Sequence, residues 1–276
     1  SSATNAHAEI ATGTTPSYAN NVICCTGLSG VSCSGYTANV LKLSSSTNAH
    51  VEVATNNNYT NTACISAASE VPVIAYQDSN CTGYETTLAS ISSTTNATIG
   101  NSSNYTKKVC GSLVPASITF SISTTTLYFG GISSLVTRYA SSTDTGGSGS
   151  EVSAHTLLVK TNSLNGYVVN VQGATLSSGL NSINAIGGTN TAPAVGTSQF
   201  GLRATASGGT GIVTAPYAAS GFAYAASATT SSQVASASLG DNATTTDSMR
   251  YVVNISGAVV SGEYLANLVY VATSNF

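Results

Sequence analysis

Residues 33–64 read CSGYTANVLKLSSSTNAHVEVATNNNYTNTAC, and residues 81–110 read CTGYETTLASISSTTNATIGNSSNYTKKVC. Both segments open on Cys-x-Gly-Tyr, run through serines and threonines to Asn-Ala, and close on Asn-Tyr followed by a cysteine. Inside each, short β-branched or alternating runs are punctuated by turn formers, so the expected order is strand, Ser/Thr/Asn turn, strand, Asn-Tyr turn, strand. A shorter copy, SSATNAHAEI at 1–10 followed by SYANNVICC at 17–25, keeps the central and closing phrases but lacks the Cys-x-Gly-Tyr strand. The first 110 residues therefore read as an array with a period of about 45 residues.

The repeat frames its own cysteines. Cys33 is expected to pair with Cys64 and Cys81 with Cys110, each bridge closing a loop of about 30 residues and contributing roughly 2–4 kcal/mol. Small β modules need such help. Cys24 then lacks the partner that its equivalents have, and Cys25 has no equivalent. A vicinal Cys24–Cys25 bridge, a re-pairing that draws in Cys33, and a bond to another chain all stay open among the 15 connectivities that six cysteines allow.

Composition narrows the function. Only 6% of the 276 residues are charged, 42% are hydrophobic and the net charge is -3, a combination unlike that of disordered chains, which are polar and highly charged. The basic residues Lys42, Lys107, Lys108, Arg138, Lys160, Arg203 and Arg250 are scattered, so no stripe exists to neutralise phosphates and no nucleic-acid partner is expected. The apolar run YLANLVYVA falls well short of the ~20 residues of a membrane helix, and no membrane span is expected. Ser1 reads as the residue left by signal-peptide removal. Six cysteines with few His and acidic residues point to disulfides rather than metal, hence to an extracellular or cell-surface location.

After GSLVPAS, cysteine disappears and the texture changes. The expected division is a repeat region at 1–112 and a C-terminal domain at 113–276. In the latter, SITFSI, SLVTRYA, AHTLLVKT, GYVVNVQ, QFGLRA, GFAYAA, DSMRYVVNI and EYLANLVYVA read as strands between Gly, Ser, Thr and Asn turns, with no helical period over ten or more residues. The fold class expected is all-β: disulfide-stapled β repeats followed by an immunoglobulin-like or jelly-roll-like β-sandwich. SSTDTGGSGSE at 141–151 reads as a long flexible loop within it.

The repeated SSxTNAHxE with its flanking CxGY, followed by FSISTTTLYFGGISSLVTRYASS, AHTLLVKTNSLNGYVVNVQGATLSSG, INAIGG, QFGLRATASGG and the ending GEYLANLVYVATSNF, resembles surface proteins of uncultured bacteria of the candidate-phyla-radiation kind. The resemblance covers nearly the whole chain. It implies a secreted, β-rich cell-surface or appendage protein and carries no catalytic residues. The chain departs from the pattern in its incomplete first repeat and in its third, where Thr98 and Gly100 replace His and Glu.

Chemistry-bearing residues are sparse. His7 with Glu9 and His50 with Glu52 stand two apart, on one strand face, where they could contribute to a metal site; a local hydrogen bond is the commoner role of such a pair. His155 is the only histidine of the C-terminal region, with Asp144, Asp241 and Asp247 as conceivable triad partners, and the nucleophile-elbow and phosphate-loop motifs are absent. No catalytic residue, cofactor or metal is assigned. Asn58, Asn80, Asn96, Asn101, Asn104, Asn242 and Asn254 lie in N-glycosylation sequons.

The function expected from these readings is non-enzymatic: a subunit of an extracellular filament, pilus or surface appendage. It would join copies of itself head to tail by β-strand complementation, which supplies main-chain hydrogen bonds and buries alternate side chains. Host or cell surfaces are further candidate partners. The alternative is a non-polymerising adhesin or carbohydrate-binding module.

Overall fold

A computed structural model describes residues 7–8, 37–46, 48–67, 70–163 and 165–275. Cys24, Cys25, Cys33 and Glu9 lie outside the described residues, as does the segment 17–25. The chain divides into two compact units, Ser1–Ala116 and Ser117–Phe276. Both are all-β, and the described residues contain no helix.

In the first unit, β1 (Thr37–Leu43), β2 (Val51–Val53) and β3 (Asn61–Ser66) come from the second repeat, whereas β5 (Thr86–Ile91), β6 (Ile99–Gly100) and β7 (Lys107–Pro115) come from the third. The strand β4 (Glu70–Asp78) lies between them in sequence. The sheets have the orders β2-β1-β3 and β4-β7-β5-β6, all antiparallel. The two repeats share even their irregularity. Asn39 faces Cys64 and Leu41 faces Ala63, while Thr87 faces Cys110 and Ala89 faces Val109, so Val40 and Leu88 are equivalent one-residue bulges.

The Ser/Thr-rich loop is also built alike in both. The amide of Ser44 donates to His50 O at 3.0 Å and that of Ser92 to Thr98 O at 3.0 Å. In return, the His50 amide donates to Ser44 Oγ at 3.1 Å and the Thr98 amide to Ser92 Oγ at 3.0 Å. Asn48 and Asn96 sit at the same place in the loop with φ of 50° and 46°, in the left-handed region that asparagine tolerates through its short polar side chain. Leu41, Leu43, Val51, Ile91, Ala97 and Val109 of both repeats share one buried cluster.

Cys81 and Cys110 are joined, with Cα atoms 5.4 Å apart and a separation of 29 positions in sequence. Cys64 is also disulfide-bonded, and its partner lies outside the described residues. Tyr76 of β4 fastens the second repeat: its hydroxyl donates to Val40 O at 2.6 Å and accepts from the Ala54 amide at 2.9 Å. Tyr76→Phe would leave both backbone groups without their partner. Loss of about 1–3 kcal/mol in equilibrium denaturation is the expected result.

The departure of the third repeat at Gly100 has a steric counterpart in the structure. In the second repeat Glu52 is fully buried, and its carboxyl oxygens accept from Asn58 Nδ2 at 2.8 Å and from the Tyr59 amide at 2.8 Å. In the third, the matching Tyr105 amide donates instead to Ser90 Oγ at 3.0 Å, and the Lys108 ammonium donates to the carbonyls of Ser102, at 2.8 Å, and Tyr105. This turn closes down on Gly100, where a Cβ would lie 2.9 Å from Asn104 Cβ and 3.0 Å from Tyr105 Cε2. Gly100→Ala is expected to cost about 1–3 kcal/mol through overpacking, read as a lowered denaturant midpoint.

The second unit contains β8 (Ile118–Ile122), β9 (Arg138–Tyr139), β10 (His155–Thr161), β11 (Tyr167–Gln172), β12 (Ser177–Ser178), β13 (Asn181–Ser182), β14 (Gly187–Thr191), β15 (Gln199–Ser207), β16 (Ile212–Val213), β17 (Phe222–Tyr224), β18 (Ser232–Ala237), β19 (Thr245–Asn254) and β20 (Val269–Ser274). A seven-stranded sheet runs β14-β17-β15-β19-β10-β8 with β9 beside β19, and a four-stranded sheet runs β16-β18-β11-β20. Alternate residues of β10 and β11 point inward, Leu157 and Val159 from one sheet and Tyr167, Val169 and Val171 from the other, all in one core. This is the expected sandwich.

Several details differ from the sequence reading, SLVTRYA among them, of which only Arg138–Tyr139 is strand. The last strand is shorter than EYLANLVYVA and starts at Val269; ahead of it, Leu265 makes a separate bridge to Ser177. The stretch 141–151 is fastened at several points: Tyr139 and Ser148 exchange main-chain bonds of 2.9 Å, and Glu151 accepts from Arg203 Nε at 2.6 Å and meets Arg250 at 3.2 Å.

Candidate functional site

The feature of greatest functional interest is the way successive repeats join. Ala8 of the first repeat and Ala49 of the second exchange two main-chain bonds of 2.9 Å. Val51 of the second and Ala97 of the third exchange two of 2.8 Å. In the aligned repeats Ala8 matches Val51, and Ala97 matches Ala49, so one contact occurs twice in succession. Val53 extends the second contact by donating its amide to Thr94 O at 3.0 Å. Side chains also meet across these joints, His7 Nδ1 meeting Asn48 Oδ1 at 2.7 Å and Tyr59 donating its hydroxyl proton to Asn96 Oδ1 at 3.2 Å.

Ile99 and Asn101 occupy the places of Val51 and Val53 in the third repeat. The Ser92–Thr98 bond turns Thr98 toward β5, and main-chain groups of a strand alternate in direction, so the N–H and C=O of Ile99 and the N–H of Asn101 point away from their own sheet. They have no hydrogen-bond partner among the described residues. β6 is thus an open edge, half-buried at Ile99 and exposed at Asn101. At the other edge of this sheet, β4 carries Pro72, which removes a donor and blunts that edge.

The sandwich has open edges of its own in β8 and β20. On β20, Val269 and Val271 are 59% and 50% exposed, and beside its start lies a shallow groove of about 680 Å³ lined by Gln172, Thr175, Ser177, Leu265 and Asn267 among others, with neither a charged side chain nor an aromatic ring.

The histidines fall into two groups, His7 with His50 in the first unit and His155 in the second. His7 and His50 pack ring to ring at 4.6 Å, while Glu52 is committed to the Asn58–Tyr59 turn. Among the described residues no three His, Cys, Asp or Glu side chains gather as metal ligands. His155 is buried, and its Nε2 meets the Tyr251 hydroxyl at 2.7 Å, which in turn lies 2.5 Å from the Tyr270 hydroxyl. This chain of polar groups links β10 and β19 of one sheet to β20 of the other. Asp144 and Asp241 cap their own turns through the amides of Gly146 and Ala243. Asp247 is buried in the core, diagonal to His155 across β10 and β19, and among the described residues neither of its oxygens has a hydrogen-bond partner; His155 Nδ1 likewise has none among them. No Asp orients the imidazole.

Of the sequon asparagines, Asn58, Asn80, Asn96, Asn101 and Asn242 are exposed and Asn104 is half-buried. Asn254 is 1% exposed, enclosed within the folded sandwich. Composition carries no sign of the Ile99–Asn101 edge. The signal was the alignment of Val51 and Val53 with Ile99 and Asn101, which becomes informative once the partners of the first pair are known. The chain matches no known protein family, no curated protein and no solved structure.

Burial opposes charge on both core groups, in opposite senses. It lowers the His155 pKa from 6.5 to about 4, so unfolding takes up a proton and stability falls as pH drops from about 6.5 to 4. It raises the Asp247 carboxyl from 3.8 to about 6, so this group's penalty is absent below about 4, grows as pH rises to about 6, and is constant above. The two slopes largely cancel between pH 4 and 6. Relative to wild type, Asp247→Asn is expected to lose stability on acidification through this window and His155→Phe to gain it, as read from denaturation midpoints. Parallel pH profiles for all three proteins would show that neither group titrates as its burial dictates.

Proposed function

We propose that this chain is a structural subunit of an extracellular filament or cell-surface appendage, and that copies join by β-strand complementation. The observation that carries this reading is the serial bridging of the repeats: paired main-chain bonds from Ala8 to Ala49 and from Val51 to Ala97 join one module to the next. Such bonds act between molecules as they do within one. A head-to-tail contact of this kind that does not close on itself extends into a fibre. The Cys81–Cys110 disulfide fits an oxidising compartment, and no described helix is long and apolar enough to cross a membrane. The disulfide agrees with a secreted protein of the surface type. The exposed sequons would carry glycans that solvate a surface with few charges.

The test is negative-stain electron microscopy of the purified chain beside a variant lacking residues 1–10. Regular fibres are expected from the full chain. The truncated chain is expected to remain unpolymerised while its Ser117–Phe276 sandwich keeps a strand-dominated circular dichroism spectrum. A full chain that stays monomeric at all concentrations, or that binds surfaces and glycans as a monomer, would favour the adhesin reading instead.

A further inference from the structure

We propose that the joint between copies lies at the Ile99–Asn101 edge of the third repeat, and that its occupant is the Ala3–Ala6 segment of a second copy of this chain. The inference rests on the filament reading and specifies its contact. Three observations converge on it.

The first is the register of the internal contacts. The residue in the Val51 place of one repeat pairs with the Asn-Ala alanine of the next, through both N–H and C=O, at Ala8–Ala49 and again at Val51–Ala97. The residue in the Val53 place donates to the carbonyl three residues before that alanine, as Val53 does to Thr94. Carried forward one step, Ile99 would exchange two bonds with an Asn-Ala alanine, and Asn101 would donate to the carbonyl three residues earlier.

The second is which copies of the repeat's Thr-Asn-Ala phrase remain to fill that place. Ala49 and Ala97 are already paired within the chain. The third copy of that phrase is in Ala3-Thr4-Asn5-Ala6, where Ala6 aligns with Ala49 and Ala97, and Ala3 with Thr94. From a second molecule, Ala6 would exchange bonds with Ile99, and Ala3 O would accept from the Asn101 amide. The third repeat of one copy would then be followed by the first repeat of the next, with the same relation that links repeats inside the chain.

The third is that the edge is built to receive a strand. Ile99 packs on its inner side against the buried cluster of the unit, so the edge is held in place by its own core, and β6 carries neither proline nor charge, in contrast to β4 with Pro72, Glu70 and Asp78. Neither Ile99-Gly100-Asn101 nor Ala3-Thr4-Asn5-Ala6 contains a charged residue, so salt should have little effect on the rate or extent of joining.

Two measurements test the proposal. In wild-type protein, amide hydrogen exchange at Ile99 and Asn101 is expected to slow at least tenfold from monomer to polymer, while the Gly100 amide, which faces its own sheet, changes little. Ile99→Pro removes the donor at an edge position that its own sheet does not use. It is expected to leave a folded monomer that does not extend fibres, and an excess of the peptide SSATNAHA should likewise stop wild-type growth. If wild-type fibres form but Ile99 and Asn101 exchange as fast in them as in the monomer, or if Ile99→Pro polymerises like wild type, this joint is wrong and the filament reading stands with its contact elsewhere. If wild type forms no polymer at all, both fall.

Discussion

Main-chain pairing at the Asn-Ala turns is the interaction on which the first unit depends. A repeat of three short strands has little core of its own, and its edge strand leaves donors and acceptors unpaired. The bonds between Val51 and Ala97 satisfy one such edge and bring both repeats over a common cluster of Leu43, Val51, Ile91, Ala97 and Val109. A net gain of about 1 kcal/mol per hydrogen bond is modest. The apolar surface that the pairing brings together contributes more, at about 25 cal/mol per Å² of area removed from water. The left-handed Asn48 and Asn96 make this possible, because they turn the chain so that the alanine after them presents its N–H and C=O to the preceding repeat.

The sandwich meets the same requirement differently. Its sheets are closed over a larger core, and the polar groups inside that core mark where the sheets are tied. His155, Tyr251 and Tyr270 form a hydrogen-bonded chain from one sheet to the other, and Tyr224 adds a bond of 2.7 Å to Gly173 O. Burial raises the pKa of the Tyr224 hydroxyl to about 12 and those of Tyr251 and Tyr270 further, so these groups stay protonated and serve as donors. His155 is held neutral by the same burial, which lets one ring nitrogen accept. These bonds tie one sheet of the sandwich to the other inside the core.

Much of this was legible in the sequence because the repeat and the period-two alternation report on local geometry. The framing of β1–β3 and β5–β7 by Cys and Asn-Tyr phrases, and the alternation of YVVNVQ in β11, correspond directly to strands. What escaped reading had nonlocal causes. SQVASA became β18 because Val234, Ala235 and Ala237 fill space against the opposite sheet, whereas its Ser and Ala content resembles a loop. EVPVIAYQD became β4 by pairing along its whole length with β7, a partner that begins nearly thirty residues later. Asn254 looked like any other sequon, since its enclosure depends on what surrounds β19. The loss of Glu at Gly100 made sense only when the Asn104–Tyr105 turn was seen lying over it.

The poverty of charge determines how any contact of this chain must be specified. Opposite charges ordinarily set partner choice and register at protein interfaces, and here 6% of residues are charged in total. Register must therefore come from shape and from the spacing of main-chain groups. The alanines supply the first: Ala49 and Ala97 are 1% and 0% exposed, leaving no room for a larger side chain where two backbones approach. The bonds from residues two apart on one strand, Val51 and Val53, to residues three apart on the other, Ala97 and Thr94, supply the second. A strand displaced by one residue would place Asn96 or Thr98 in the alanine position and turn the main-chain groups the other way. Within this uncharged surface, selectivity thus resides in a small residue set at a fixed distance from a left-handed asparagine.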